Sequence, residues 1–199
     1  KPFAVGLRIE HAQSMIDRAQ YGTFAGHPRL GAAEYRLTAQ SGDRGVYTFC
    51  MCPGGSVIAS ASSRDEVVVN GMSNLARNAE NANAAIVVQV RESDLPDDPF
   101  AGVRFQKEME RAAFLAGGAD GTAPASTVGA FVSRSAAKGF GGIKPSYRPG
   151  VKAVDLWGVL PAFVSKGIAD GLAAFGRQLK GFDEPDAVLT GVETRTSAP

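Results

Sequence analysis

The sequence predicts an α+β domain, with a mainly antiparallel sheet or partial barrel and helices packed on one side. Three observations carry this. Phe3, Val5, Leu7 and Ile9 alternate with smaller or polar residues, and residues two apart share one face of a strand. Short strand-like runs punctuated by glycine and proline continue to about residue 93, and helical spacing dominates about 94–182. A final run, Asp186 to Thr194, reads as a strand again. Strands, then helices, then a returning strand are the element order of an α+β fold.

The opening strand is expected over Pro2 to Ile9. A helix over His11 to Gln20 should follow, with Met15, Ile16 and Ala19 on one face and Gly22 placed to stop it. A loop containing Gly26, Pro28 and Gly31 leads to a short strand, Glu34 to Thr38. The runs Gly45 to Cys52 and Ser56 to Ser60 flank Pro53-Gly54-Gly55, a hairpin signal because glycine tolerates the backbone that such turns require. Val67 to Asn70 and Ala84 to Val90 read as further strands, joined by a polar connection over Gly71 to Asn83.

Asp98-Pro99 marks a helix start, an acceptor followed by a residue whose missing N–H costs nothing there. Phe105, Met109, Ala112, Ala113 and Ala116 share its buried face, and Gly117-Gly118 ends it. Thr122 to Ser126 reads as a loop, Thr127 to Ser133 as a short helix, and Gly139 to Gly150 as irregular chain rich in Gly and Pro. From Asp155, apolar residues recur at near-helical spacing up to Leu179, with Pro161 resetting the helix.

The 199 residues are 44% hydrophobic and 21% charged, with a formal net charge of +1. That balance offers no basic footprint for nucleic acid. No apolar run approaches the ~20 residues of a membrane helix. Cys50 and Cys52 are the two cysteines, too few for a disulfide framework, so a cytoplasmic setting is expected. Strand-like residues at both termini predict a segment cut from a longer polypeptide.

Several constellations have chemical potential. Cys50 and Cys52, two apart, would share a strand face with Cα atoms roughly 6.5–7 Å apart, either as a redox pair or as small packed side chains. No usual zinc spacing relates them to His11 and His27, so no metal site is expected. Asn70, Ser73, Arg77, Asn81 and Asn83 gather donors and acceptors in one connection. They suit either a polar ligand, with Arg77 gripping a carboxylate or phosphate, or a self-bonded loop. Arg8, Glu10 and His11 close the first strand. Arg8 and Glu10 are placed to pair, and His11 titrates near neutrality or serves as a cap. Tyr147 and Arg148, in a Pro/Gly loop, either line a pocket or make a plain turn. No strand, G-x-G-x-x-G and helix occur in that order, so no dinucleotide cradle is predicted.

Five stretches together, Gly6-Leu-Arg-Ile-Glu-His11, Tyr47-Thr-Phe-Cys-Met-Cys-Pro-Gly-Gly55, Asn70-Gly-Met-Ser73, Lys144-Pro-Ser-Tyr-Arg-Pro-Gly150 and Leu189-Thr-Gly-Val-Glu-Thr-Arg-Thr196, resemble the uncharacterised FAD-dependent dehydrogenases, bacterial NAD(FAD)-utilising flavoproteins. The resemblance spans nearly the whole chain. It implies a substrate-side or cap domain, residues 1–199, inserted between the halves of an FAD-binding domain of the same polypeptide. FAD would then be bound by the parent and not by this fragment, with NAD(P)H as electron donor and an unidentified small-molecule substrate. It further implies Pro53, Gly54, Gly55 and Gly71 as flavin-facing, Asn70, Ser73, Arg77, Tyr147 and Arg148 as substrate-binding, and Cys50, Cys52, Glu10 and His11 as the reactive groups. The alternative is a stand-alone ligand-binding or protein-interaction module without redox chemistry.

Overall fold

The alternation at the head of the chain becomes β1 (Phe3–Ala12), which pairs antiparallel along its full length with β6 (Asn81–Val90), from Phe3 opposite Val90 to Ala12 opposite Asn81. The computed structural model describes residues 3–194. Pro2, and Arg195 and Thr196 of the last family-like stretch, lie outside them. Five further strands complete a seven-stranded open sheet: β2 (Thr38–Ser41), β3 (Arg44–Cys52), β7 (Ala123–Thr127), β8 (Val151–Ala153) and β9 (Val188–Glu193). The order is β2-β3-β6-β1-β9-β7-β8, antiparallel except for β7 and β8. A separate ribbon of β4 (Gly55–Ala59) and β5 (Val69–Ser73) lies against the sheet. The fold is a mostly antiparallel α+β domain with its helices on one side, as the sequence predicts.

The helices are α1 (Gln13–Tyr21), α2 (Ala101–Gly117), α3 (Val128–Val132) and α4 (Ala162–Gln178). The reset expected at Pro161 is present: a short 3-10 turn, Leu156–Gly158, precedes α4. α4 buries Val164, Ile168, Leu172 and Phe175 in the core that holds Val5, Leu7, Ile9, Ile86 and Val88. Gly167 and Gly171, one helical turn apart, bring it close. A Cβ on either would stand 2.7 Å from a methyl of Val88 or Val46. Each aliphatic side chain removed from water here contributes about 1.5–3 kcal/mol. No helix among the described residues is long and apolar enough to cross a membrane.

The structure differs from the sequence expectation at six places. The runs flanking Pro53-Gly54-Gly55 do not form a hairpin, because both edges of β3 are taken by β2 and β6, and β4 pairs with β5 instead. β1 runs through His11 and Ala12, where a helix start was expected. His11 pairs with Ala82 and its ring is buried between Tyr35 and Phe182, which keeps the backbone extended. The strand expected at Glu34 to Thr38 lies at Thr38–Ser41 instead, because Thr48 holds Leu37 through both N–H and C=O. The polar connection after Asn70 is largely strand: Asn70–Ser73 belongs to β5, and Asn81 and Asn83 to β6. Ala123–Thr127 is a strand between β9 and β8, not a loop. Finally, α2 starts at Ala101, and Asp98 instead forms a preceding turn by accepting from Phe100 N.

Candidate functional site

Arg8 sits on the β1 face opposite the aliphatic core, and none of it is exposed. Its guanidinium is held from three directions. Nε donates to Asn83 Oδ1 at 2.8 Å, Nη1 to Glu193 Oε2 at 3.1 Å, and Nη2 to both Cys50 O at 2.5 Å and Cys52 Sγ at 3.3 Å. Gly71 of the ribbon rests on it, since a Cβ there would come 1.9 Å from Arg8 Nη2. Only glycine permits that approach. Burial pushes the Glu193 carboxyl up to about 7, with the Arg8 charge and hydrogen bond opposing the rise.

Glu10 shares this face, but its hydrogen bonds go elsewhere. Its carboxylate accepts from Ser146 N and Oγ, the latter at 2.5 Å, and from Asn81 Nδ2 at 2.9 Å. Asn81 also donates to Lys144 O, so Glu10 anchors the Lys144–Tyr147 loop. Burial raises its pKa, and the bonds from Ser146 and Asn81 oppose this. His11 points to the other face. Nε2 lies 2.7 Å from Phe182 O, Nδ1 has no partner among the described residues, and burial lowers its pKa to about 4. It is neutral at pH 7.

The strand-face expectation for the cysteines is altered by a bulge. Phe49 pairs with Ala85 but Cys52 with Asn83, so β3 carries an extra residue there, and Cys50 has φ +46°. Cys50 is exposed and Cys52 is buried, both as free thiols. Burial pushes the Cys52 thiol up to about 11, against the pull of Arg8 and with a further push from Cys50. Cys50 borders a groove of about 630 Å³ lined also by Tyr35, Arg36, Tyr47, Phe49 and Met51.

The remaining candidates divide by exposure. Arg77 is exposed and pairs with Glu34 at 2.5 Å, Arg148 is exposed, and Ser73, half-buried, donates to Pro53 O at 2.6 Å. Asn70 accepts from its neighbour Gly71 N. Tyr147 is buried, with its hydroxyl on Gly121 O at 3.2 Å. Pro53, Gly54 and Gly55 are buried beneath the segment after β5, where Gly54 O accepts from Ala79 N and a Cβ on Gly54 would strike Arg77 O. The structure therefore brings Arg8, Asn83, Glu193, Gly71 and the two cysteines into one cluster, with Glu10 beside it and His11 on the far face.

Residues 2–196 match the family described as FAD-dependent protein, C-terminal domain-like. The chain belongs to this family. It is also 46% identical over 202 residues to an uncharacterized protein of Clostridium beijerinckii, covering all of this chain and 38% of the length of that relative.

For a member of an FAD-dependent family, the question is whether its own residues cradle a dinucleotide. The parallel pair β7 and β8 brackets α3, but α3 has five residues and Thr127 Oγ1 already caps it through Ala130 N. No glycine-rich turn precedes it, so amides at its start are not presented to a pyrophosphate. These residues do not fit FAD. No group of three or more His, Cys, Asp or Glu among the described residues is placed to hold a metal ion.

Sequence reasoning missed the central role of Arg8, Asn83 and Glu193. Arg8 and Glu193 are 185 positions apart, and the sequence places Arg8 to pair with Glu10, its neighbour on the same strand face, instead. Gly71, Asn81 and Asn83 disfavour strands and so read as loop, and it is their place in β5 and β6 that points to a tertiary partner.

Proposed function

We propose that this domain is the substrate-side cap of an FAD-dependent oxidoreductase, a dehydrogenase, whose flavin is held by another part of the same polypeptide. The observation that carries this reading is membership in an FAD-dependent family by a chain whose parallel β-α-β unit, the one among the described residues, has a self-capped, five-residue helix. One further fact supports it. The chain spans 38% of the length of its relative.

In this reading FAD supplies the redox chemistry, and the protein supplies orientation and exclusion of water. Arg77, Arg148 and Ser73 reach a polar substrate directly, while Asn70 and Tyr147 shape the segments that carry them. Gly71, held on Arg8, sets the ribbon facing the flavin, and Pro53, Gly54 and Gly55 support it from beneath. Glu10 and His11 act through position, Glu10 by anchoring the Lys144–Tyr147 loop. NAD(P)H is the electron donor and the setting is cytoplasmic.

Flavin titration tests this. Residues 1–199 should show no saturable FAD binding at concentrations that saturate the full-length polypeptide. Tight FAD binding by the fragment would overturn the reading, and an absence of FAD binding by the full-length polypeptide would favour the stand-alone module.

A further inference from the structure

The geometry points to thiol–disulfide exchange at Cys50 and Cys52, with Cys50 attacking a small or peptide-borne disulfide and Cys52 resolving the mixed disulfide. This stands independently of the flavin reading, because the exchange needs only the two thiols and an external disulfide.

Three features converge. The pair is asymmetric: Cys50 is exposed, beside the groove of about 630 Å³, and Cys52 is buried. An exposed attacking thiol paired with a shielded resolving thiol keeps the second sulfur from reacting with the wrong partner. The bulge also shortens the strand. Three steps of β3, Phe49 to Cys52, match two steps of β6, Ala85 to Asn83. At ~3.3 Å per residue the segment spans only ~6.6 Å instead of ~10 Å. The chain is therefore gathered in at the two cysteines, whose side chains interact, and Cys52 Sγ lies 3.3 Å from Cys50 O. Finally, Arg8 Nη2 lies 3.3 Å from Cys52 Sγ, so a fixed positive charge meets the sulfur as it loses its proton.

The groove defines the substrate class. Tyr47 and Phe49 give it apolar walls and Arg36 supplies a positive charge, while Glu34 is paired with Arg77. That combination suits a peptide-like disulfide bearing carboxylates, such as oxidised glutathione. In the first step Cys50 gives up its proton and its sulfur attacks one sulfur of the substrate. The substrate S–S bond breaks, and the departing thiolate takes up a proton. Cys52 then gives up its proton and attacks the Cys50 sulfur. An S–S bond forms within the protein and the second substrate thiol leaves protonated. The two cysteines lose two electrons together, and one disulfide becomes two thiols.

The test uses the full-length polypeptide and oxidised glutathione, followed by alkylation with N-ethylmaleimide and peptide mass spectrometry. The native protein should form the Cys50–Cys52 disulfide and retain no glutathione. Cys52→Ser should trap glutathione on Cys50. Without oxidant, Cys50 should be alkylated at least ~100-fold faster than Cys52, as expected for an exposed against a buried thiol. This last measurement needs no substitution, so the inference stays exposed even if Cys52→Ser fails to fold. Glutathione retained on the native protein, attack at Cys52 first, or equal alkylation rates would overturn it.

Discussion

On one face of β1, Val5, Leu7 and Ile9 join the apolar core that α4 also buries its side chains in. On the other face, Arg8 and Glu10 are just as deeply buried, but beneath the β4–β5 ribbon and the Lys144–Tyr147 loop, where hydrogen bonds hold them. Contacts on the first face are interchangeable, because any aliphatic group of similar volume fills the space. Those on the second are not, because removing one partner leaves another polar group desolvated and alone. Shape therefore resides in the first face and position in the second.

Adjacent substitutions give the widest separation. Arg8→Ala should cost about 3–5 kcal/mol, because it strands the Glu193 carboxylate in the interior. Ile9→Val, one residue on and facing α4, should cost only about 0.5–1.5 kcal/mol. Urea unfolding midpoints measure both. Combining Arg8→Met with Glu193→Leu should recover much of the loss. A double variant as unstable as the sum of its parts would show that the pair is not coupled.

Acidity sharpens the contrast. His11, on the apolar face, has its pKa lowered from 6.5 to about 4. Between those values the unfolded chain binds a proton that the folded chain refuses, so stability is lost as pH falls through this window. Glu193, on the polar face, is raised from 4.5 to about 7. There the folded chain holds the extra proton, so stability is lost as pH rises. Glu10, also raised, acts in the same sense as Glu193. The His11 and Glu193 contributions are each on the order of 3 kcal/mol and oppose one another between pH 4.5 and 6.5. The native protein should therefore show a shallow profile there. His11→Gln should make it less stable at pH 6.5 than at pH 4.5, and Glu193→Gln should tilt it the other way. Profiles unchanged in both variants would remove the contrast.

The smallest contrast between two sites comes from adding one methyl group. Gly71→Ala places a Cβ against the guanidinium and should cost about 1–3 kcal/mol. Gly45→Ala, where only Gln89 Oε1 at 3.8 Å is near, should be close to neutral in the same urea assay.

These differences also mark where the sequence was legible. The face built from period-two and near-helical spacing was readable: β1, α2, α4 and β9 all follow from apolar residues repeating along a local stretch. The turn at Pro53–Gly54 was readable for a similar reason, since glycine and proline signal their geometry locally, but the hairpin expected there was not formed, because β3 pairs with β2 and β6 and β4 with β5. The polar face was not. Asn81 and Asn83 read as loop because asparagine satisfies nearby backbone so well, yet Glu10 and Arg8 hold their side chains. Ala123–Thr127 was hidden because alanine and proline carry little strand signal. What fixes it is hydrogen bonding to β9 and β8, neither close in sequence. At the candidate site, the cysteines, Glu10, Gly71 and Arg8 were identifiable by residue type, whereas the partners of Arg8, which are Asn83, Glu193 and the cysteines rather than Glu10, were not.

The span between Arg8 and Glu193 has a consequence for assembly. A chain emerging from the ribosome makes its first strand long before its last. Until β9 arrives, the arginine has no carboxylate partner, and enclosing it would be penalised. Early compact states that trap this side of the sheet are thus disfavoured, so closure waits for the far end of the chain. Folding of the domain should accordingly be a late, concerted event rather than a stepwise accretion from the N-terminus.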